Sequence, residues 1–348
     1  MQPHPDLLPR PELTAATIRD GRDADAAGFI ALIDACWSEY PGCIMDLDGE
    51  VPELRAFATY VSGRQGRLWA AEDRDGRIVG MVAAYPLGAD RAWEVGRMYV
   101  DAAHRGTGLA ARLLAGAEAH ARGQGAQRIV LWSDTRFEPA HRFYEKHSYV
   151  RSGSIRVLDD VSKSLEFRYT KPIAGLAVEV LDAAAATSAE RRLAEILLAC
   201  VEAGASVGFR RPLKQGKARH FWQGIATDVA RRRRLLLAAW SEGVLAGTVQ
   251  LALPGSENRP HAADIEKLLV HPTARRQGIA RALLAKVEQA ARAHGRTLLV
   301  LDTRLGDGAE ALYRAQGWTE VGRIPDFALD ADGRVLEPIA FFYKRLGG

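Results

Sequence analysis

With 348 residues, the chain is long for one hydrophobic core and comfortable for two ordinary domains. Its 47 Lys and Arg against 43 Asp and Glu leave a formal charge of +4, too mild a balance to predict a nucleic-acid partner. Cys36, Cys43 and Cys200 show no CxxC spacing, the first residues show no basic and apolar leader pattern, and the apolar run Leu235 to Trp240 is far short of the roughly 20 residues that cross a bilayer. The expectation is a cytoplasmic protein with no membrane span.

In chain order, the strand-like Thr17-Ile18-Arg19 comes first. Leu68 to Ala71 and Ile78 to Val82 then flank Asp75-Gly76, which predicts a hairpin. A further strand ends at Val100, a glycine-bearing turn spans Arg105 to Ala110, and Leu109, Leu113, Leu114 and Ala117 follow at helical spacing up to Gly123 and Gly125. Next come a short strand, Ile129 to Trp132, and a helix opened by Glu138-Pro139, with proline in the first turn where its missing N–H costs nothing. Lys171 to Gly175 reads as a linker, and Ala177 to Val180 opens a second unit.

The second unit repeats the first. Leu235 to Trp240 and Val244 to Leu253 flank Glu242-Gly243, a strand ends at Val270, and a turn at Arg275 to Ala280 leads into Ile279, Leu283, Leu284 and Val287, closed by Gly295 before the strand Leu298 to Leu301. The pairs Val100 and Val270, Arg105 and Arg275, and Gly108 and Gly278 all stand 170 residues apart, and Asp134-Thr135-Arg136 returns as Asp302-Thr303-Arg304. Arg231 to Arg234 follows a helical segment around Trp222 to Val229 and reads as a solvated helix end.

A strand that runs through a basic, glycine-containing turn into a helix presents free N–H groups at the positive end of the helix dipole, a ready site for phosphate oxygens. Arg105-Gly106-Thr107-Gly108-Leu109-Ala110 and Arg275-Arg276-Gln277-Gly278-Ile279-Ala280 both fit Q/R-x-x-G-x-G/A. This pattern resembles the acetyl-CoA signature of the Gcn5-related N-acetyltransferase (GNAT) family. The resemblance implies an α/β (α+β) chain with two GNAT folds in tandem, over 14–172 and 176–346, each a mixed, mostly antiparallel sheet flanked by helices. It implies that these twelve residues hold the pyrophosphate of acetyl-CoA, the acyl donor, and that Met98-Tyr99-Val100 and Leu268-Leu269-Val270, on a bulged strand, bind its pantetheine arm and thioester carbonyl.

It also implies a base six residues before the strand end, Glu94 in one half and Asp264 in the other, where Glu266 competes with Asp264. Tyr144 and Tyr313, in A-x-x-[FL]-Y helices, are implied as acids for the thiolate. Phe137 and Gly306 depart from the family's usual asparagine seven residues before that tyrosine. No metal is expected: His104, His120, His141, His147, His271 and His294 lack ligand spacing and read as surface or helix residues. The C-terminal half, at Val300 to Arg304, Gly317-Trp318-Thr319, Ile324 to Ala328 and Phe341 to Lys344, resembles the tabtoxin-resistance type, which implies a small-molecule amine acceptor. Acceptor contacts are expected from Trp37 to Phe57 and Val207 to Trp222. The alternative is one catalytic half and one structural or acyl-CoA-sensing half. The sequence gives no oligomeric state.

Overall fold

The computed structural model describes residues 16–88, 91–253, 256–306 and 308–347. The first half of the chain runs through Thr17–Asp20 (β1), Ala26–Trp37 (α1), Phe57–Gly63 (α2), Arg67–Glu72 (β2), Ile78–Pro86 (β3) and Ala92–Val100 (β4). It continues with Leu109–Gly123 (α3), Arg128–Asp134 (β5), Glu138–Lys146 (α4), Val150–Arg151 (β6), Arg156–Val157 (β7) and Leu165–Pro172 (β8). The second half holds Leu176–Leu181 (β9), Ala183–Ser188 (α5), Glu190–Glu202 (α6), Gln215–Ala230 (α7), Arg234–Ser241 (β10) and Val244–Ala252 (β11). Ala262–Val270 (β12), Ile279–Ala293 (α8), Leu298–Arg304 (β13), Gly308–Ala315 (α9), Thr319–Leu329 (β14) and Leu336–Arg345 (β15) complete it.

Two mixed sheets result, ordered β1-β2-β3-β4-β5-β8-β6 with β7 on β8, and β14-β15-β13-β12-β11-β10-β9. Both hairpins form as expected, β2 with β3 and β10 with β11, and the pairings of β4 with β5 and of β12 with β13 are parallel. These are the mixed, mostly antiparallel sheets flanked by helices that the sequence predicts.

By packing, the chain divides into two compact units. One carries the chain up to Glu138 together with Gly153–Thr170, and the other joins Pro139–Ser152 to Lys171–Gly348. In the first unit, β3 is buried along almost its whole length, as its continuous apolar run requires of a central strand covered on both faces. Phe29, Ile33, Leu54, Phe57 and Val61 from the helical segments before β2 pack on Met81 and Ala83. On the other face α3 lies so close that a Cβ on Gly80 would stand 3.0 Å from Leu113.

In the second unit the strand period of two divides β10 between two cores. Leu236, Ala238 and Trp240 meet Leu193, Leu197, Trp222 and Ile225 of α6 and α7, while Leu237 and Ala239 meet Ile279, Leu283 and Val287 of α8. Gly247 repeats the close approach of Gly80, since a Cβ there would lie 2.9 Å from Ile279 and 3.0 Å from the Leu269 carbonyl.

The segment Pro139–Ser152 belongs to this unit through specific bonds. Trp240 Nε1 donates to the Ser148 carbonyl at 2.9 Å, the Leu245 N–H to Ser148 Oγ at 3.2 Å, and the Arg151 N–H to Ser188 Oγ at 2.8 Å. Two expectations are corrected here. Lys171 to Gly175 is not a loose linker: Lys171 and Pro172 finish β8, Ile173 is fully buried, and the Lys171 ammonium donates to the His147 carbonyl and lies 4.7 Å over the Tyr149 ring. The arginine run is not wholly a solvated helix end either. Arg231 caps α7, but Arg234 opens β10 and pairs with Glu266 at 2.6 Å.

Candidate functional site

Each sheet carries the same irregularity on the strand before its glycine turn. On β4, Met81 faces Tyr99 but Ala83 faces Gly96, so one extra residue is inserted and Arg97 takes φ +50°. On β12, Thr248 faces Leu269 but Gln250 faces Glu266, and Lys267 takes φ +50°. A bulge re-aims the backbone groups beside it, and a non-glycine residue held left-handed costs about 1–3 kcal/mol, which the surrounding sheet must sustain.

The parallel pairing stops just before the bulge. β4 pairs with β5 only from Ala92 to Glu94, and β12 with β13 only from Ala262 to Asp264. Beyond these points β4 and β12 no longer pair with the parallel strand, and the 265–270 backbone lies beside a cleft. At the end of each strand a short 3-10 turn leads into α3 or α8, whose N-cap glycines, Gly108 and Gly278, have φ +88° and +80°. Gly106 and Arg276, two residues earlier, are also left-handed, at +77° and +66°. No side chain caps either helix, so the N-terminal N–H groups stay available to an anion.

In the second unit this geometry lines a cavity of about 870 Å³, large enough for a small-molecule ligand. Of the expected cofactor residues, Leu268, Leu269, Val270, Arg275, Arg276, Gly278, Ile279 and Ala280 line it, and so does Tyr313. Gln277 instead accepts a bond from Ser241 Oγ at 3.4 Å, and Asp264 pairs with Arg259 at 3.2 Å; neither lines the cavity. Tyr313 is buried edge-on against Trp318, with ring centroids 5.9 Å apart. Of the segment expected to contact the acceptor, Val207 and Gly208 line the cavity, whereas Lys217 to Trp222 lie in α7, with Trp222 in the core.

Glu266 and Asp302 bring two carboxylates to the same cavity. Glu266 is held by Arg234, but no cation among the described residues pairs with Asp302. The reason lies in its neighbour. In the first unit the repeated tripeptide closes on itself, with Arg136 gripping Asp134 at 2.6 and 2.8 Å. In the second, Arg304 turns to Glu337 at 3.2 Å and to the Gly204 carbonyl at 3.1 Å. Water reaches the Asp302 side chain, yet the cavity wall surrounds much of it. That desolvation pushes its carboxyl pKa up, Lys267 opposes the rise, and Glu266 adds to it. The repeat made Asp302 visible in the sequence; its freedom depends on Glu337, 35 residues away, which no local pattern reveals.

In the first unit Glu94 stands where the parallel pairing ends and accepts the Tyr85 hydroxyl at 2.8 Å. Met98, Tyr99 and Val100 follow the bulge, with the Tyr99 hydroxyl accepting from Trp37 Nε1 at 2.9 Å. Arg105 reaches back from the turn to Glu39 and to the Val100 carbonyl, and Thr107 Oγ1 donates to the His104 carbonyl at 2.7 Å. Leu109 and Ala110 open α3. Tyr144 is a residue of the second unit, buried on α4 against Phe143 and Tyr149. His104 ends the 3-10 turn Ala102–His104 and is buried, with its ring 3.2 Å from Asp101.

Cys36 and Cys200 hold matching places, their thiols donating to the Val100 and Val270 carbonyls at 3.7 and 3.3 Å. Burial pushes both thiols up, which marks them as structural and not nucleophilic. Among the described residues no group of three or more His, Cys, Asp or Glu is arranged to hold a metal, and no helix is long and apolar enough to cross a membrane.

A family model described as Acetyltransferase (GNAT) family matches residues 29–149 and 209–318. An N-acetyltransferase from the hisH-hisA intergenic region of Azospirillum brasilense is 36% identical over 106 residues, covering 30% of this chain and 61% of the relative, so less than two thirds of that protein is spanned. The aminoglycoside N(6')-acetyltransferase type 1 of Klebsiella aerogenes is 33% identical over 112 residues, covering 30% of this chain and 70% of the relative. Among solved structures, the ribosomal-protein-alanine N-acetyltransferase of Brucella melitensis aligns at 24% identity and a TM-score of 0.42, covering 49% of this chain and 99% of that one.

Proposed function

The chain belongs to the acetyltransferase (GNAT) family, and from that premise we propose that it is an acetyl-CoA-dependent N-acetyltransferase of two tandem domains, 14–172 and 176–346, acting on a primary amine of a small molecule. The observation that carries the reading is the second unit's cavity, where an uncapped helix N-terminus, four arginines, a bulged strand, a free carboxylate and a tyrosine meet.

Acetyl-CoA supplies a thioester that an amine can attack. The N–H groups at Gly278 to Ala280, with Arg275 and Arg276 beside them, suit its pyrophosphate. Backbone groups of Leu268 to Val270, beyond the bulge and the end of the parallel pairing, suit the pantetheine arm and can stabilise negative charge on the carbonyl oxygen. Asp302 holds the incoming ammonium and accepts its proton, a role we assign to it over Asp264 because Arg259 already occupies the latter. A raised pKa brings a carboxylate nearer to that task. Tyr313 gives a proton to the departing thiolate. In the first domain Glu94 is the corresponding base, with Met98 to Val100 and Arg105 to Ala110 as the cofactor segments.

The likeness to an enzyme named for an aminoglycoside amine and the tabtoxin-type features of the C-terminal half both support a small-molecule acceptor. Coenzyme A release, measured with a panel of small amines including aminoglycosides and amino-acid amides, tests this. At least one amine should be turned over, and Tyr313→Phe should lower kcat by 10²-fold or more while changing the KM for acetyl-CoA little. An unchanged kcat in that variant would remove Tyr313 from the chemistry.

A further inference from the structure

The two glycine turns are alike in backbone and differ in charge. In the first unit the Arg105 guanidinium is gripped by both oxygens of Glu39, at 2.6 and 2.7 Å, and its Nε donates to the Val100 carbonyl at 3.1 Å. Gly106, Thr107 and Ala111 add no charge, Arg112 in the first turn of α3 donates to the Ala16 carbonyl at 3.3 Å, and Asp101, which accepts from the Ala103 N–H, places a second carboxylate just before the turn.

The second unit reverses each feature. The thiols of Cys36 and Cys200, bonded to equivalent carbonyls, align the two units, and three residues beyond Cys200 the counterpart of Glu39 is Ala203. Arg276 and Arg281 replace Gly106 and Ala111, and His271 replaces Asp101. Arg275, Arg276, Arg281 and Ala203 all line the cavity, and no carboxylate among the described residues pairs with any of the three arginines. The first turn is therefore close to neutral and the second carries three unpaired positive charges, while a coenzyme A ligand brings several phosphate charges to whichever it meets.

We propose that the two cofactor sites are graded: the second turn is the high-affinity site for the phosphates of a coenzyme A thioester, and in the first the Glu39–Arg105 pair withholds the turn's only cation from them. This rests on the reading that both turns hold acetyl-CoA. It assigns the working transferase site to the second domain and makes the first a site that fills only at higher concentration.

The test is calorimetric titration of the full chain with acetyl-CoA at low and at physiological salt. Wild type should show two classes of site at least tenfold apart, with the gap narrowing as salt rises. Glu39→Gln should tighten the weaker class about three- to tenfold and leave the tighter one unchanged, and Ala203→Glu should weaken the tighter class by a similar factor. Both positions are exposed, and a melting curve for each variant separates a binding effect from a folding one. Two equal sites, or a weaker site indifferent to Glu39→Gln in a folded variant, would overturn the grading while leaving acetyl-CoA binding intact. Absence of any binding would overturn the underlying reading as well.

Discussion

At the scale of a single residue, the proposed chemistry rests most heavily on Asp302, a carboxylate lining the second unit's cavity. The same Asp-Thr-Arg tripeptide makes a closed ion pair at Asp134 and an open carboxylate at Asp302, because Glu337 draws Arg304 away. The sign of the pH effect follows. A carboxyl whose folded pKa is raised destabilises the native state at any pH above that value, and the penalty vanishes once pH falls below the unfolded pKa near 3.8. Asp302→Asn should therefore raise the melting temperature at pH 7, leave it nearly unchanged near pH 3, and still depress turnover. A variant that melts lower at pH 7 would show that the carboxylate is held by favourable contacts and not poised. Arg304, Asp264 and Arg105 were legible as residues, but their partners were not, since Glu337, Arg259 and Glu39 reach them through tertiary packing.

At the scale of elements, the turn is positioned by the helix behind it, and that helix by a glycine. Ile279 and Leu283 of α8 press on β11 at Gly247, where an added Cβ would stand 2.9 and 3.2 Å from them and 3.0 Å from the Leu269 carbonyl. Gly247→Ala must displace either α8 or the bulged strand. It is expected to lower stability by about 1–3 kcal/mol in chemical denaturation and to weaken acetyl-CoA binding with it. Normal stability and binding would mean that helix and strand can separate there without disturbing the turn. The hairpins, the two helices after the turns and the turns themselves were readable because each rests on local signals, namely period, turn residues and glycine. The point where β12 and β13 cease to pair, the cavity wall at Phe327 and Ala328, and the burial of His104 depend on register and long-range packing, which a local pattern does not encode. The supposed linker failed for the same reason, since polar Lys171 is buried by satisfying the His147 carbonyl.

At the scale of the whole molecule, the internal repeat gave the domain count, while packing assigns Pro139–Ser152 and its tyrosine to the second compact unit. The two units share the backbone of the glycine turn and differ in the charges that surround it. On the proposed function, acetyl transfer to a small amine runs through the second unit's cavity. Steady-state coenzyme A release by Gly278→Val and Gly108→Val, at acetyl-CoA concentrations near the wild-type KM, tests it most directly, because both glycines hold left-handed φ values that a β-branched residue resists. Gly278→Val is expected to lose about 95% or more of wild-type turnover while Gly108→Val keeps most of it, on the order of tenfold or more between them. Retained turnover in a folded Gly278→Val protein would contradict it.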